Sequence, residues 1–323
     1  MPQHIMSTAR PASSNISLIV LVAAVVGLGT AVAVLLVSGV LGGTGPENIP
    51  TALPAASGTI AAVIAAGDVA TCSSTDDDAT AALVDSMDGT VLLLGDAAYP
   101  AGRADDFEEC YAPTWGRHLE RTRAVPGNHD YDTPAARPFF RYFDEAAGPA
   151  GRGYYSFDLG TWHVIALNSE CEHVDGGCDE DSEQVEWLRE DLAATDASCV
   201  LAFWHEARFS SGEHGDTKSV GVLWEVLAEA HADLVLAAHD HDYERFEPLD
   251  ANGDPDPDGM PSFVVGSGGA PLREIETARP GSVVRDDEHH GVLRLELTDG
   301  GYSWAFVDTG PRTLDEGVGR CRA

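Results

Sequence analysis

The sequence predicts an α/β fold with largely parallel strands and an N-terminal transmembrane helix. Three observations predict it. Short Val/Ile/Leu/Ala runs alternate with helical stretches from residue 59 onward, and strand–helix–strand alternation builds parallel sheets. Leu18–Leu41 is an uncharged apolar run of 24 residues. Charge divides the chain at the same place: residues 1–46 hold no acid and one base, Arg10, whereas residues 47–323 hold all 53 acids and 18 of the 19 bases. The formal charge of −34 over 323 residues excludes nucleic-acid binding through a basic face. A hydrophobic content of 44% excludes an intrinsically disordered chain.

A bilayer core takes about 20 apolar residues as a helix, and a secretory h-region about 7–15. Leu18–Leu41 therefore reads as an uncleaved signal-anchor, with residues 1–17 as a short cytoplasmic N-terminus. Arg10 before the span and the acids after it put the body outside the cell. Residues 42–58, rich in Pro and Gly, read as a linker, residues 59–310 as the catalytic domain, and 311–323 as a C-terminal tail. The alternative is secretion after cleavage of the same segment as a signal peptide.

The six cysteines, Cys72, Cys110, Cys171, Cys178, Cys199 and Cys321, form no CxxC or zinc-finger spacing. An even number in an exported body suggests disulfides. Cys171–Cys178 is the easiest loop to close, and Cys72–Cys110 with Cys199–Cys321 would complete a set. Six free thiols are the alternative.

Along the body, Thr59–Ala66, Val91–Leu94, Thr122–Val125, Val164–Leu167, Val200–Trp204 and Leu234–Ala238 read as buried strands. Ala79–Met87, Glu183–Ala194 and Val220–Ala230 read as helices. In the second, Val185, Leu188 and Leu192 share a face, and Asp181 with Gln184 suggests a capping box. Tyr154–Leu159 and Trp162–Leu167, split by Gly160-Thr161, read as a hairpin, as do Gly291–Leu297 and Tyr302–Val307 around Asp299-Gly300-Gly301.

Ligands in open α/β sheets bind at the carboxyl ends of strands. The first polar residues there are Gly67-Asp68, Gly95-Asp96-Ala97-Ala98-Tyr99, Gly127-Asn128-His129-Asp130, His205-Glu206, and His239-Asp240-His241-Asp242-Tyr243-Glu244-Arg245. Singly these are common turn or core residues. Together they bring metal-ligand and proton-transfer side chains to one edge of the fold.

This constellation resembles the calcineurin-like metallophosphoesterases and, within them, the purple acid phosphatase branch. Position 70 is Ala where most of the superfamily completes Asp-x-His, and Tyr99 is present instead, as in the purple branch. Departures are Ala238 where Gly usually precedes the His-x-His pair, and Glu206-Ala207 after the single His. The resemblance covers about residues 60–310 and implies an αββα sandwich. It implies two metal ions: Fe³⁺ held by Asp68, Tyr99 and His241, and Zn²⁺, Mn²⁺ or Fe²⁺ held by Asn128, His205 and His239, with Asp96 bridging. A phenolate and carboxylates suit a hard trivalent ion, and imidazoles with an amide oxygen suit the divalent one.

Such a pair generates hydroxide near neutral pH and draws charge from phosphoryl oxygens. The implied function is hydrolysis of small-molecule phosphate monoesters, acid-phosphatase-like. His129 is the candidate proton donor to the leaving oxygen, and His214 a second candidate at the mouth. The alternatives are a phosphodiesterase or nucleotidase on the same site, or a non-catalytic surface module binding metal or phosphate. The expected partners are the ester substrate and the membrane through residues 18–41; the oligomeric state stays open. Tyr243-Glu244-Arg245 is expected to buttress the ligand segment, and Arg208 to form a surface ion pair.

Overall fold

The structure is a computed structural model and describes Gly58 and residues 60–322. The expected segments 1–17 and 18–41, and the linker up to residue 57, lie outside the described residues. Among those described, no helix is long and apolar enough to cross a membrane.

Two mixed sheets are built from β1 (Ala61–Ala66), β2 (Thr90–Leu94), β3 (Thr122–Val125), β4 (Tyr155–Leu159), β5 (Trp162–Ala166), β6 (Cys199–Glu206), β7 (Leu234–Ala238), β8 (Tyr243–Phe246), β9 (Ser262–Val265), β10 (Ser282–Asp286), β11 (Gly291–Thr298), β12 (Gly301–Asp308) and β13 (Thr313–Arg320). The first sheet runs β13-β12-β11-β1-β2-β3 and the second β10-β8-β9-β7-β6-β5-β4. β1, β2 and β3 are parallel neighbours, as are β5, β6, β7 and β9. The outer strands are antiparallel. The longer α-helices are α1 (Asp76–Asp85), α2 (Arg137–Phe143), α3 (Glu183–Ala194) and α4 (Gly221–Glu229).

Residue alternation explains the layering. Side chains two apart on a strand face the same way. On β6, Leu201 and Phe203 join the core that also takes Val63, Leu92 and Leu293 of the first sheet. Val200, Ala202 and Trp204 face the other way, into a core with Val185 and Leu188 of α3 and Leu223 and Trp224 of α4. β7 repeats the pattern, with Leu234 and Leu236 between the sheets and Val235 under the helices. Leu83 and Val84 of α1 pack on the first sheet's side. The result is an αββα sandwich.

All three cysteine pairs are disulfides: Cys72–Cys110, Cys171–Cys178 and Cys199–Cys321, with Cα separations of 5.1, 5.2 and 5.5 Å. By loop-closure entropy they restrict the unfolded chain by about 4, 2 and 5 kcal/mol respectively.

Three expectations are corrected. The stretch expected as a tail, 311–323, supplies β13, which pairs along β12 from Gly301↔Arg320 to Val307↔Thr313. It was missed because Thr-Leu-Asp-Glu-Gly-Val-Gly-Arg has too few apolar residues to alternate visibly. The cap of α3 is Ser182, whose side chain accepts from the Val185 N–H. Gln184 instead closes a two-way bond with the Asn168 main chain, accepting from its N–H at 2.8 Å and donating to its carbonyl at 3.0 Å. Arg208 forms no ion pair among the described residues; its guanidinium lies 4.5 Å over the Phe209 ring.

His163 on β5 fastens the β4–β5 hairpin to α3. Its Nδ1 lies 2.8 Å from Asp158 and its Nε2 2.8 Å from Asp191. The hydrogen-bonded Asp191 carboxylate raises its pKa most, burial opposes, and Asp158 adds to the rise. A raised pKa in the fold stabilises fully below the unfolded value, near 6.5, and that contribution fades as pH climbs through the folded value. His163→Gln should therefore lower Tm more at about pH 5.5 than at about pH 9. Equal losses in melting curves at both pH values would mean that the imidazolium contributes only packing.

Candidate metal centre

Strand register gathers the site. β1 and β2 pair Ala66 with Leu93, so their next residues, Gly67-Asp68 and Gly95-Asp96, leave the sheet side by side. Asp68 N–H donates to Gly95 O at 3.2 Å and Val69 N–H to Asp96 O at 3.0 Å. From the second sheet, His205 continues the inward-facing row of Leu201 and Phe203, and its Nδ1 reaches Leu94 O at 2.8 Å across the sandwich. His239 follows β7, and its N–H donates to Asp68 Oδ2 at 2.8 Å.

Three of these residues sit in the left-handed region without being glycine: Asp68 at φ 57°, Asp96 at 49° and His239 at 74°. Each costs on the order of 1 kcal/mol or more and is held by its hydrogen bonds. Glycines give the site room. A Cβ on Gly127 would lie 2.3 Å from Asp96 Oδ1 and 2.7 Å from its main-chain N, and one on Gly95, itself at φ +91°, would lie 2.5 Å from His205 Nδ1.

The donor set has more lone pairs than protons. Tyr99 Oη lies 2.7 Å from Asp68 Oδ1, 2.9 Å from Asp96 Oδ2 and 3.0 Å from His241 Nε2. His241 Nδ1 faces the Pro271 carbonyl at 2.8 Å. A carbonyl only accepts, so Nδ1 carries the proton and Nε2 presents a lone pair. One phenol proton thus faces three acceptors. In the second group, His205 Nε2 lies 3.1 Å from Asn128 Oδ1, 3.2 Å from His239 Nδ1 and 3.5 Å from Asp96 Oδ2. Its Nδ1 proton is engaged by Leu94 O, so this nitrogen too aims a lone pair inward. Asp68, Asp96 and His205 offer ligand atoms all within 4.8 Å of one another. The residues fit cations at both positions, with the Asp96 carboxylate between them.

The electrostatics agree. Burial pushes the Asp68 carboxyl up, but without a cation the rings of His241 and His205 take up protons, and their charges with the bonds from His241 and Tyr99 hold Asp68 well below the usual carboxylate range; a bound cation would take the place of those Nε2 protons. Burial and the neighbouring Asp68 and Asp96 push the Tyr99 phenol well above its ordinary value. That phenol ionises only where a cation takes its proton's place.

His129 N–H donates to Asp96 Oδ1 at 2.9 Å, its Nδ1 donates to Pro100 O at 2.8 Å, and its ring packs on Tyr99 at 4.7 Å. Nε2 is left toward the centre, 4.0 Å from Asp96 Oδ2. His214 stacks on His239 at 4.1 Å, and its Nε2 contacts Arg273. All nine residues expected at the site thus lie at or beside this cluster.

Others were not anticipated. Asp130 accepts from the N–H groups of Asp96 and Gly127 at 3.1 and 3.0 Å, and burial, then Asp96, push its carboxyl up to about 8. Ser169 Oγ accepts from Glu206 N–H at 3.0 Å. Burial and Glu206 push the adjacent Glu170 up to about 8. Asn168-Ser169-Glu170 follow β5 and could have been found by applying the strand-end reading to that strand. Asp240 holds the 210–215 loop through Ser210 Oγ and the His214 N–H. Asp315 on β13 receives Tyr243 Oη at 2.7 Å, Arg245 Nε at 2.6 Å and Trp304 Nε1 at 3.1 Å. The expected buttress thus has an anchor in the strand read as a tail.

The sequence profile of calcineurin-like phosphoesterases matches residues 57–243. The chain belongs to that family. Its calcineurin-like relatives include purple acid phosphatase 15 of Arabidopsis thaliana, 29% identical over 70% of this chain and 47% of that protein. Purple acid phosphatase 23 of the same plant is 29% identical over 50% of this chain and 39% of its own length. The chain spans about half the length or less of these relatives. Among solved structures, the yellow lupin purple acid phosphatase PPD1 aligns with TM-score 0.64 at 17% identity, over 80% of this chain and 53% of that one. The Plasmodium protein GAP50, described as the anchor in the inner membrane complex, aligns with TM-score 0.64 at 14% identity, over 81% and 89%. At these identities the structures establish a shared fold.

Proposed function

We propose that the chain is an extracytoplasmic binuclear metallophosphoesterase that hydrolyses small phosphate monoesters, in the manner of an acid phosphatase. The observation that carries this reading is the convergence of Asp68, Asp96 and His241 acceptors on the single Tyr99 proton. Asp68, Tyr99 and His241 would hold a ferric ion and Asn128, His205 and His239 a zinc, manganese or ferrous ion, with the Asp96 carboxylate available to both. When bound, such a pair supplies Lewis-acid charge and a hydroxide nucleophile near neutral pH.

The chain's own residues do the rest. Asp130 fixes the main chain of Asp96 and Gly127, and so the bridging carboxylate. Pro100 O orients the His129 ring, and Nε2 delivers a proton to the departing alcohol oxygen. His214 walls the mouth and is the second candidate for proton transfer. The catalytic domain begins at residue 59, and its ordered body runs on through β13. The three disulfides favour an oxidising compartment, and residues 18–41 anchor the domain to the cell membrane with the enzyme outside.

The test is a purified protein reconstituted with iron and zinc. Aryl phosphate hydrolysis is expected, with a red-purple absorption from phenolate-to-ferric charge transfer that disappears in Tyr99→Phe. A colourless, active parent would remove the ferric assignment and leave the hydrolase. Full metal loading with phosphate binding and no turnover would favour a binding module.

A further inference from the structure

A cavity of about 620 Å³ lies next to His214, lined by Ser210–Glu213 on one side and by Arg273, Glu274, Glu276, Thr277 and Arg279 on the other. The two arginines are held differently. Arg279 is committed: its Nε lies 2.9 Å from Asp216, its Nη1 donates to Gly253 O at 3.1 Å, and its guanidinium covers Phe209 at 4.3 Å. Arg273 touches His214 Nε2 and has one acid partner, Glu213, at 3.4 Å. Glu213 is 67% exposed, and exposed pairs of this kind are worth little and exchange readily. The main chain of Arg273 is nonetheless fixed, because its N–H donates to His241 O at 3.0 Å. A cation whose Nη1 carries both of these contacts, and whose Nε and Nη2 make no hydrogen bond among the described residues, is therefore held beside His214 on the wall of a cavity large enough for a leaving group.

We infer that Arg273 is a specificity-determining residue that binds an anion carried by the leaving group of the substrate. The inference rests on the phosphohydrolase reading and narrows its substrate class to esters whose alcohol bears its own carboxylate or phosphate-type group. Guanidinium forks match both anions. A bound anion displaces Glu213 from Arg273. Glu274 and Glu276 are solvent-exposed, and salt screens their repulsion.

The test compares kcat/KM for phenyl phosphate, 4-carboxyphenyl phosphate and 4-phosphonophenyl phosphate in the metal-loaded protein. The readout is the ratio of substituted to unsubstituted ester, so any general loss through His214 cancels. In Arg273→Met the ratio should fall about tenfold, the weight of a charged hydrogen bond. In Glu213→Gln, which frees the guanidinium, it should rise about two- to threefold. The larger of the two substituted ratios identifies the preferred anion. Ratios unchanged in both variants would overturn the inference. If the parent hydrolyses none of the esters, the phosphohydrolase reading fails separately. Calorimetry with benzylphosphonate and 4-carboxybenzylphosphonate then decides: extra affinity for the carboxylate that is lost in Arg273→Met supports Arg273 as the anion site, and equal affinities in the parent remove it.

Discussion

Asp96→Ala is expected to lower ester hydrolysis by about a thousandfold or more and to leave the purified protein short of the roughly two metal ions proposed for the parent. Asp96 Oδ2 lies 2.9 Å from Tyr99 Oη and 3.5 Å from His205 Nε2, so one carboxylate oxygen serves both groups of candidate ligands. Its Oδ1 accepts the His129 N–H at 2.9 Å, and truncation would release the candidate proton donor as well. Alanine also tolerates φ 49° less readily than aspartate, so Asp96→Asn is the better-matched partner. It keeps the shape and removes the charge, and it should lose metal and activity while melting close to the parent. Elemental analysis and initial rates decide. A fully loaded Asp96→Asn protein with activity within tenfold of the parent would mean that no bridging carboxylate is needed.

Gly127→Ala is expected to cost about a hundredfold in kcat although it replaces no candidate ligand. The added Cβ would lie 2.3 Å from Asp96 Oδ1, 2.7 Å from Asp96 N and 2.8 Å from His205 Cδ2. These are a carboxylate oxygen tied by the His129 N–H, a main-chain nitrogen and the rim of a buried ring, none of which yields cheaply, so the Asn128 loop must back away. Displacements of about 1 Å at a reacting centre cost on the order of a hundredfold. Since Gly127 N–H also donates to Asp130 Oδ2 at 3.0 Å, the move would strip that buried carboxyl of one of its donors. Weaker metal retention and lower kcat should appear together. Parent-like kinetics would show that the loop adapts.

The parallel strands β1, β2, β3, β5, β6 and β7 were legible in the sequence because they are largely buried and read as apolar runs, such as Leu-Val-Leu-Ala-Ala of β7; β9, parallel to β7 but only Ser-Phe-Val-Val long, was not read. The candidate ligands were legible for a related reason: the chain turns from apolar to polar where such a strand stops. β8, β10 and β13 gave no such signal. Tyr243–Phe246 was hidden inside the ligand motif, and Ser282–Asp286 is only half-buried. Arg273 and Asp315 were beyond sequence reasoning because each acts across a long separation. Arg273 meets His214 59 positions away, and Asp315 meets Tyr243 72 positions away. Nothing in the local residue pattern marks either partner.

The Cys199–Cys321 bond spans 122 positions and makes a covalent ring that contains β6 to β10 of one sheet and β11 to β13 of the other. The acidic loop Asp250–Gly259, half of whose residues are exposed, lies within that ring. A protease that cuts there opens a circle instead of severing a strand. The clipped protein should migrate as one species until a reductant is added, and only then separate into two. A nicked molecule would keep β11 to β13 bonded to the fragment that carries every candidate ligand from Asp68 to His241.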